Sequence, residues 1–256
     1  MIIIDTHMHL GTSRFSGVTT TEDDILQAME RHRVAAGLIM PQPTLEDVPA
    51  VHRSIARFAA AHPGRIYGIA SIDPWLEAAE YRRQMAVCME DYGFVAIKLH
   101  PLGHNISPLS SYCDKVYEAA AFYGVPVIVH TGLGAPNALP ALVIEPARRF
   151  PQVTFILAHA GFAVYTDEAI VAAGVCGNIV LEPSWCPVYA VKRMLDKLGA
   201  GRLIMGSDHL DNLPVELAKY QSAVPNEEVR SRILYHNPQQ LFKLQVPASA
   251  IPHASS

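Results

Sequence analysis

No uninterrupted apolar run in this 256-residue chain reaches the roughly 18 residues of a transmembrane helix, although half the residues are apolar. A membrane span is therefore not expected, and the apolar content is material for a large buried core. Charge is scarce, at 17% Asp, Glu, Lys and Arg, with a net charge of −4 when histidine is neutral. No cluster of Lys and Arg stands out, which argues against nucleic acid as a partner. The four cysteines, Cys88, Cys113, Cys176 and Cys186, form no CxxC and do not pair by spacing. They read as reduced thiols of a cytoplasmic protein. The start, Met1-Ile2-Ile3-Ile4-Asp5, lacks a basic segment and a cleavage signal, so no secretory peptide is expected. Internal repeats and low-complexity linkers are also missing.

What is present is alternation. Eight short runs rich in Val, Ile, Leu and Phe read as strands: Ile2–His7, Val34–Met40, Ile66–Ile72, Phe94–Leu99, Pro126–His130, Thr154–Ala158, Asn178–Leu181 and Arg202–Gly206. Most show no inside–outside alternation, as expected for parallel strands buried on both faces. Helix-length amphipathic segments lie between them. One opens at Thr21-Glu22-Asp23-Asp24 with N-cap chemistry, and others run over Glu46–Ala61, Pro74–Tyr92, Ser110–Tyr123, Leu139–Phe150, Tyr165–Ala173, Val188–Leu198 and Asn212–Ser222. Eight βα units in about 250 residues predict an α/β fold, a single-domain (β/α)8 TIM barrel over residues 1–244. An open doubly wound sheet is the alternative, but no GxGxxG follows the first strand. Extra helix is expected over Val224–Leu244, with Asn237-Pro238 starting a last short one, and residues 245–256 are expected to be a disordered tail.

Twelve histidines is the unusual count, and their placement matters more than their number. Asp5-Thr6-His7-Met8-His9 ends the first predicted strand. Residues i and i+2 of a strand share a face, so His7 and His9, about 7 Å apart along the backbone, can converge on one cation. Alone, HxH is equally a hydrogen-bonded pair at a strand end. The pattern repeats, however. His130 closes the fifth predicted strand, His159 follows the sixth, and Asp208 follows the eighth in Gly206-Ser207-Asp208. In a barrel these ends ring one face, where active sites sit. Four strands that place metal-type ligands on one rim point to a metal site.

That ordered set resembles the amidohydrolase superfamily, in particular its amidohydrolase-related (amidohydrolase 2) branch. Gly93-Phe94-Val95-Ala96-Ile97-Lys98-Leu99-His100-Pro101, Leu157-Ala158-His159-Ala160-Gly161, Gly206-Ser207-Asp208 and Asn237-Pro238-Gln239-Gln240-Leu241-Phe242 carry the resemblance, which spans residues 1 to about 244. The resemblance implies that His7, His9, His130 and Asp208 surround one divalent metal. Zn²⁺ is the first choice, and Mn²⁺, Fe²⁺ or Co²⁺ would accept similar ligands. It implies that the metal activates water and polarises a substrate carbonyl, that Asp208 accepts the water's proton, and that His159, a non-ligand or a second-metal residue, orients the water or shuttles a proton. The branch holds hydrolases and nonoxidative decarboxylases.

For Lys98 the resemblance to binuclear amidohydrolases implies a carboxylated bridge between two metals, while the residue by itself reads equally as an ammonium that binds a substrate carboxylate or a side chain snorkelling from the barrel interior. A mononuclear site is favoured. Substrate-contact candidates are His100, Arg14 and Trp185, with His104, Asn105, Glu182, Ser184, Tyr189 and His209 as further rim residues. His32, His52, His62 and His236, on helices or their ends, are read as unremarkable. The expected function is metal-dependent hydrolysis of a small lactone, amide or ester. The rival is a decarboxylase of an aromatic or unsaturated acid, which Arg14 or Lys98 binding a carboxylate would favour. A noncatalytic metal-binding barrel is the third class. A small-molecule substrate and a possible homo-oligomer complete the expectation.

Overall fold

The first strand, β1 (Ile4–Thr12), is buried from Ile4 through Leu10. Six further strands follow it in parallel: β3 (Ala36–Pro41), β4 (Ile66–Ala70), β5 (Ala96–Leu99), β6 (Val127–His130), β7 (Phe155–Ala158) and β8 (Ile179–Glu182). The remaining strand, the two-residue β2 (Thr19–Thr20), pairs antiparallel with the end of β1 as a small hairpin outside the parallel set. This computed structural model describes residues 1–14, 16–43 and 47–247.

The barrel closes through the predicted eighth strand, which is too irregular to form a continuous ladder. Leu203 bridges to Leu181 on one side and Asp208 to Met8 on the other. The Thr6 amide donates to the Met205 carbonyl at 3.1 Å and the Asp208 amide to the His7 carbonyl at 2.7 Å. Side chains reinforce this join. Thr6 Oγ1 donates to the Met205 carbonyl, and Asp5 Oδ1 accepts from the Ser207 amide.

Helices cover the outside: α1 (Glu22–His32), α2 (Val48–Ala61), α3 (Ala78–Ala86), α4 (Asp114–Tyr123), α5 (Ile144–Arg149), α6 (Thr166–Val175), α7 (Val188–Leu198) and α8 (Leu213–Ala223), with α9 (Glu227–Ser231) and α10 (Asn237–Leu241) at the C-terminal end. The expected start of α1 is a capping box. Thr21 Oγ1 accepts from the Asp24 amide and Asp24 Oδ2 accepts from the Thr21 amide, which satisfies two otherwise orphaned donors. Among the described residues, no helix is long and apolar enough to cross a membrane.

Two apolar layers follow from the strand period. Ile39, Ile97, Val129, Leu157 and Leu181 point outward to the helices. Ile4, Leu38, Met40, Ile69, Ile128, Ile156 and Ile204 fill the barrel, and Phe242 and Leu244 belong to the same inner cluster. The chain after α10 is tied down further than expected, since Tyr67 Oη donates to the Gln245 carbonyl at 2.7 Å. The tail expectation for residues 248–256 lies outside the described residues.

Several element boundaries differ from the sequence reading. The first strand runs on to Thr12 and turns into the unanticipated hairpin. The helix expected from Pro74 begins at Ala78 and ends in a π-turn over Val87–Asp91. The C-terminal helix is interrupted by another π-turn, Arg232–His236. In both cases the local hydrogen bonding loosens where apolar side chains dock on the core, a packing demand that helical periodicity does not encode.

Candidate metal centre

Placement of His7 and His9 depends on a bulge. Ile4 faces the barrel interior, so strict alternation would send residues 6, 8 and 10 inward and both histidines out to the helices. The register against β3 shifts between Asp5 and Met8. That irregularity reverses the phase: Met8 and Leu10 join the outer apolar layer, and His7 and His9 face the mouth. Lys98 shares the inward face of β5 with Ala96, His130 that of β6 with Ile128, and Glu182 that of β8 with Val180. His159, Trp185 and Asp208 sit just past strand ends with φ of 65°, 64° and 67°. Left-handed backbone at non-glycine residues costs energy and persists only where the surroundings enforce it. Gly206 is required here, because a Cβ would lie 2.5 Å from His7 Cβ and 2.9 Å from Glu182 Cδ.

Three ligand-type atoms meet at one point. His7 Nε2 and His9 Nε2 are 3.2 Å apart, and Asp208 Oδ1 is 3.4 Å from the first and 3.2 Å from the second. Tetrahedral bonds of 2.0–2.1 Å to one ion would separate ligand atoms by about 3.3 Å. The outer partners fix what these atoms carry. His9 Nδ1 donates to the Pro41 carbonyl at 2.9 Å, so its proton lies there and Nε2 holds a lone pair. His7 Nδ1 donates to Glu182 Oε2 at 2.9 Å with the same result. Two lone pairs and a carboxylate oxygen thus face one another, an arrangement that repels unless a cation sits among them. Lys98 Nζ, 3.1 Å from His7 Nε2, is a donor at the edge of this set. The residues fit a divalent metal.

His130 lies beside this triad rather than within it. Its Nε2 donates to the Leu133 carbonyl at 2.7 Å, while its buried Nδ1 has no hydrogen-bond partner. Its ring stacks on His100 at 4.2 Å and meets His159 edge-on at 4.8 Å. A buried lone pair left unmatched is costly, and a metal ion or a hydrogen-bond donor would satisfy it.

A second group, His7, His159 and Glu182, also clusters tightly. Hydrogen bonds account for it. His159 Nδ1 donates to Ser184 Oγ at 2.7 Å, Ser184 Oγ donates to Glu182 Oε2 at 3.1 Å, and Glu182 Oε1 accepts from the Ser184 amide at 2.7 Å. Glu182 therefore orients two histidines, and His159 keeps its Nε2 for the chamber it lines. The sequence marked Glu182 and Ser184 only as rim residues. Their i, i+2 spacing at a strand end was the available signal.

Asp208 Oδ2 accepts from Trp185 Nε1 at 2.8 Å. Trp185 is held in turn, since its amide donates to Glu216 Oε1 at 2.9 Å. Asn212 Nδ2 donates to the Ser207 carbonyl, and Lys219 Nζ donates to the Pro183 carbonyl while pairing with Glu216. These α8 residues were not anticipated, because a buried polar cluster on a helix has no distinctive spacing.

Burial dominates the electrostatics. It lowers His7, His100 and His159 well below 6.5 and brings His104 and His130 to about 4, with Lys98 adding to the effect on His7 and His130. Burial also lowers Lys98 to about 8, against the pull of Asp208 and Glu182. For Asp208 burial works against ionisation, but His159, His9 and His7 outweigh it and hold the carboxyl well below 3.8.

The triad opens into a chamber of about 260 Å³, whose wall includes His100, His130, His159 and Trp185. Lys98 is 2% exposed and is not among the residues of the chamber wall. Arg14 is exposed on the hairpin turn and is not part of the chamber wall. His52, read as unremarkable, is buried in α2, where Nε2 accepts from the Ser71 amide at 3.0 Å.

A parallel (β/α)8 barrel with ligand-bearing strand ends defines the class as TIM-barrel enzymes of the metal-dependent kind. The chain belongs to the amidohydrolase family, whose Amidohydro_2 pattern matches residues 4–244. Solved structures share the fold. An uncharacterized TIM-barrel protein from Bordetella bronchiseptica aligns with TM-score 0.78 and 18% identity, over 95% of this chain and 99% of that one. A 5-carboxyvanillate decarboxylase from Novosphingobium aromaticivorans, complexed with manganese and 4-hydroxy-3-methoxy-5-nitrobenzoic acid, gives 0.76 and 13%, over 95% and 96%. A probable 2-pyrone-4,6-dicarboxylic acid hydrolase from Acinetobacter baumannii gives 0.69 and 14%, over 95% and 100%. No curated protein matches this sequence.

Proposed function

We propose that this chain is a cytoplasmic, metal-dependent hydrolase that adds water to a small carbonyl compound: a lactone, an amide or an ester. The observation that carries the reading is the convergence of His7 Nε2, His9 Nε2 and Asp208 Oδ1 within 3.4 Å, with both imidazole protons committed to Pro41 and Glu182. These three atoms would hold one divalent ion, and His130, beside them with an unpartnered Nδ1, would complete the set only if its ring turned toward the ion. Zn²⁺ suits the nitrogen-rich set, and Mn²⁺, present in the related decarboxylase structure, is the next choice. The ion's contribution is Lewis acidity, which activates a water and polarises a carbonyl oxygen.

The protein's own groups do the rest. Trp185 holds Asp208 Oδ2, which leaves Oδ1 facing His7 and His9, where it would help hold the ion, and Asp208 would accept the proton of the attacking water. His159 would orient that water through Nε2, then take the proton from Asp208 on Nε2 and pass it to the leaving group, which returns both residues to their starting states. As it does so, positive charge on the ring is met by Ser184 and Glu182 behind it. Arg14 and Lys98, whose binding of a carboxylate would favour a decarboxylase, are not among the residues of the chamber wall. The test is incubation of the Zn²⁺- or Mn²⁺-loaded protein with a panel of lactones, amides, esters and aromatic acids. Water-addition products are expected. Carbon dioxide release from an acid, with no hydrolysis of any neutral compound, would overturn the reading.

A further inference from the structure

We infer that the substrate of this site is a small, planar, uncharged carbonyl compound, an aromatic or conjugated lactone or amide with no carboxylate remote from the reacting group. The inference rests on the hydrolase reading and narrows it. A chamber of about 260 Å³ holds roughly nine waters at about 30 Å³ each, so it receives a compound of one or two rings. Its walls offer flat faces. The Phe162 and Trp185 rings stack at 6.2 Å with 27° between planes on one side, and His100 lies nearly parallel to His130 at 4.2 Å and 13° on another. A planar guest can stack offset on whichever face of such a pair its partner ring does not cover. Pro43, Leu102 and Leu133 add apolar surface.

Among the described residues the wall carries no Lys or Arg. The residues outside the description, Phe15, Thr44, Leu45, Glu46 and 248–256, include neither type. A carboxylate placed away from the metal would therefore exchange its hydration for side chains such as Ser13, Ser16, Gln42 and His209, with no ammonium or guanidinium to pair it, which is a poor exchange for a charge. The next space outward does not repair this. A vestibule of about 590 Å³ adjoins the chamber across Ser16, Trp185 and His209, and there Arg31 is accompanied by Asp24 and Asp211. Two carboxylates beside one guanidinium do not make an anion receptor. This chamber thus differs in chemical demand from one built for a dicarboxylate.

Three hydroxamates with the same metal-binding head test the inference: benzohydroxamate, 4-carboxybenzohydroxamate and cyclohexanecarbohydroxamate. Their affinities for the Zn²⁺-loaded protein are measured by calorimetry. Benzohydroxamate should bind at least fivefold more tightly than either of the others. A carboxylated probe within fivefold of benzohydroxamate overturns the charge assignment, and a cyclohexyl probe within fivefold overturns the planar one. Failure of all three to bind overturns the substrate class and removes the ground for a carbonyl-binding chamber. The hydrolase reading fails separately, through carbon dioxide release in the activity panel, so the two can be told apart.

Discussion

Replacing Glu182 with Gln should weaken the metal site without touching a ligand. Glu182 accepts three hydrogen bonds: Oε2 from His7 Nδ1 and Ser184 Oγ, and Oε1 from the Ser184 amide. A glutamine has one oxygen and one NH₂ group in place of the two oxygens. If its NH₂ faces His7, two donors collide, and relief requires His7 to move its proton to Nε2, the atom offered to the metal. If the NH₂ faces Ser184 instead, the buried backbone amide loses its acceptor. Removing such an outer partner typically lowers metal affinity by about 10–100-fold. With metal at 100 times the parent dissociation constant, binding stabilises the parent by about 2.7 kcal/mol. The variant would lose about 1.3–2.3 kcal/mol of that, equivalent to roughly 3–9 °C in melting temperature for a chain of this size. Competition against a fluorescent chelator gives the affinity, and thermal melts with and without metal give the stabilisation. A variant that binds metal within twofold of the parent would refute the argument that Glu182 sets the His7 tautomer.

Stripping metal should lower the melting temperature and abolish turnover, with Zn²⁺ or Mn²⁺ restoring both; full activity in rigorously metal-free protein would contradict the site. His159→Ala should keep metal content near that of the parent while turnover falls by about 10²–10⁴, whereas His7→Ala should lose metal as well. Two metals per chain in the parent, one of them lost in His159→Ala, would instead indicate a binuclear site bridged by a carboxylated Lys98, and metal analysis decides it. Burial lowers His52 from 6.5 to about 4, so the unfolded chain takes up a proton here that the folded one resists. Its contribution to stability is therefore present above pH 6.5 and falls away between pH 6.5 and 4, by up to about 3 kcal/mol. His52→Gln should flatten the acid side of the stability profile measured by urea melts, and an unchanged slope would show that other histidines carry the effect.

The strand-end residues were legible because a buried parallel strand tolerates polar groups only where it ends, so each His or Asp after an apolar run marked the rim. The HxH spacing correctly put His7 and His9 on one face. It did not say which face, because the bulge between Asp5 and Met8 decides that and has no glycine or other local mark. For His130, the sequence placed the residue in the pocket but not its ring, which turns Nε2 to Leu133. The α8 cluster of Asn212, Glu216 and Lys219 was invisible, since polar residues on a helix ordinarily read as its solvent face. Here they enter the protein to hold the Trp185 amide and the Ser207 and Pro183 carbonyls.

The join between residues 203–208 and β1 gives the proposed metal a second meaning. His7 and His9 come from the first stave of the barrel and Asp208 from the last, so an ion held among them would staple together points about 200 residues apart in the chain. It would do so at the seam where regular pairing is thinnest, with the single Met8–Asp208 bridge beside it. Fastening so long a loop restricts the unfolded ensemble more than fastening a short one. Metal occupancy and barrel closure would then be the same event seen from two sides: a cylinder whose ends have met is the only form of this chain that presents the full site.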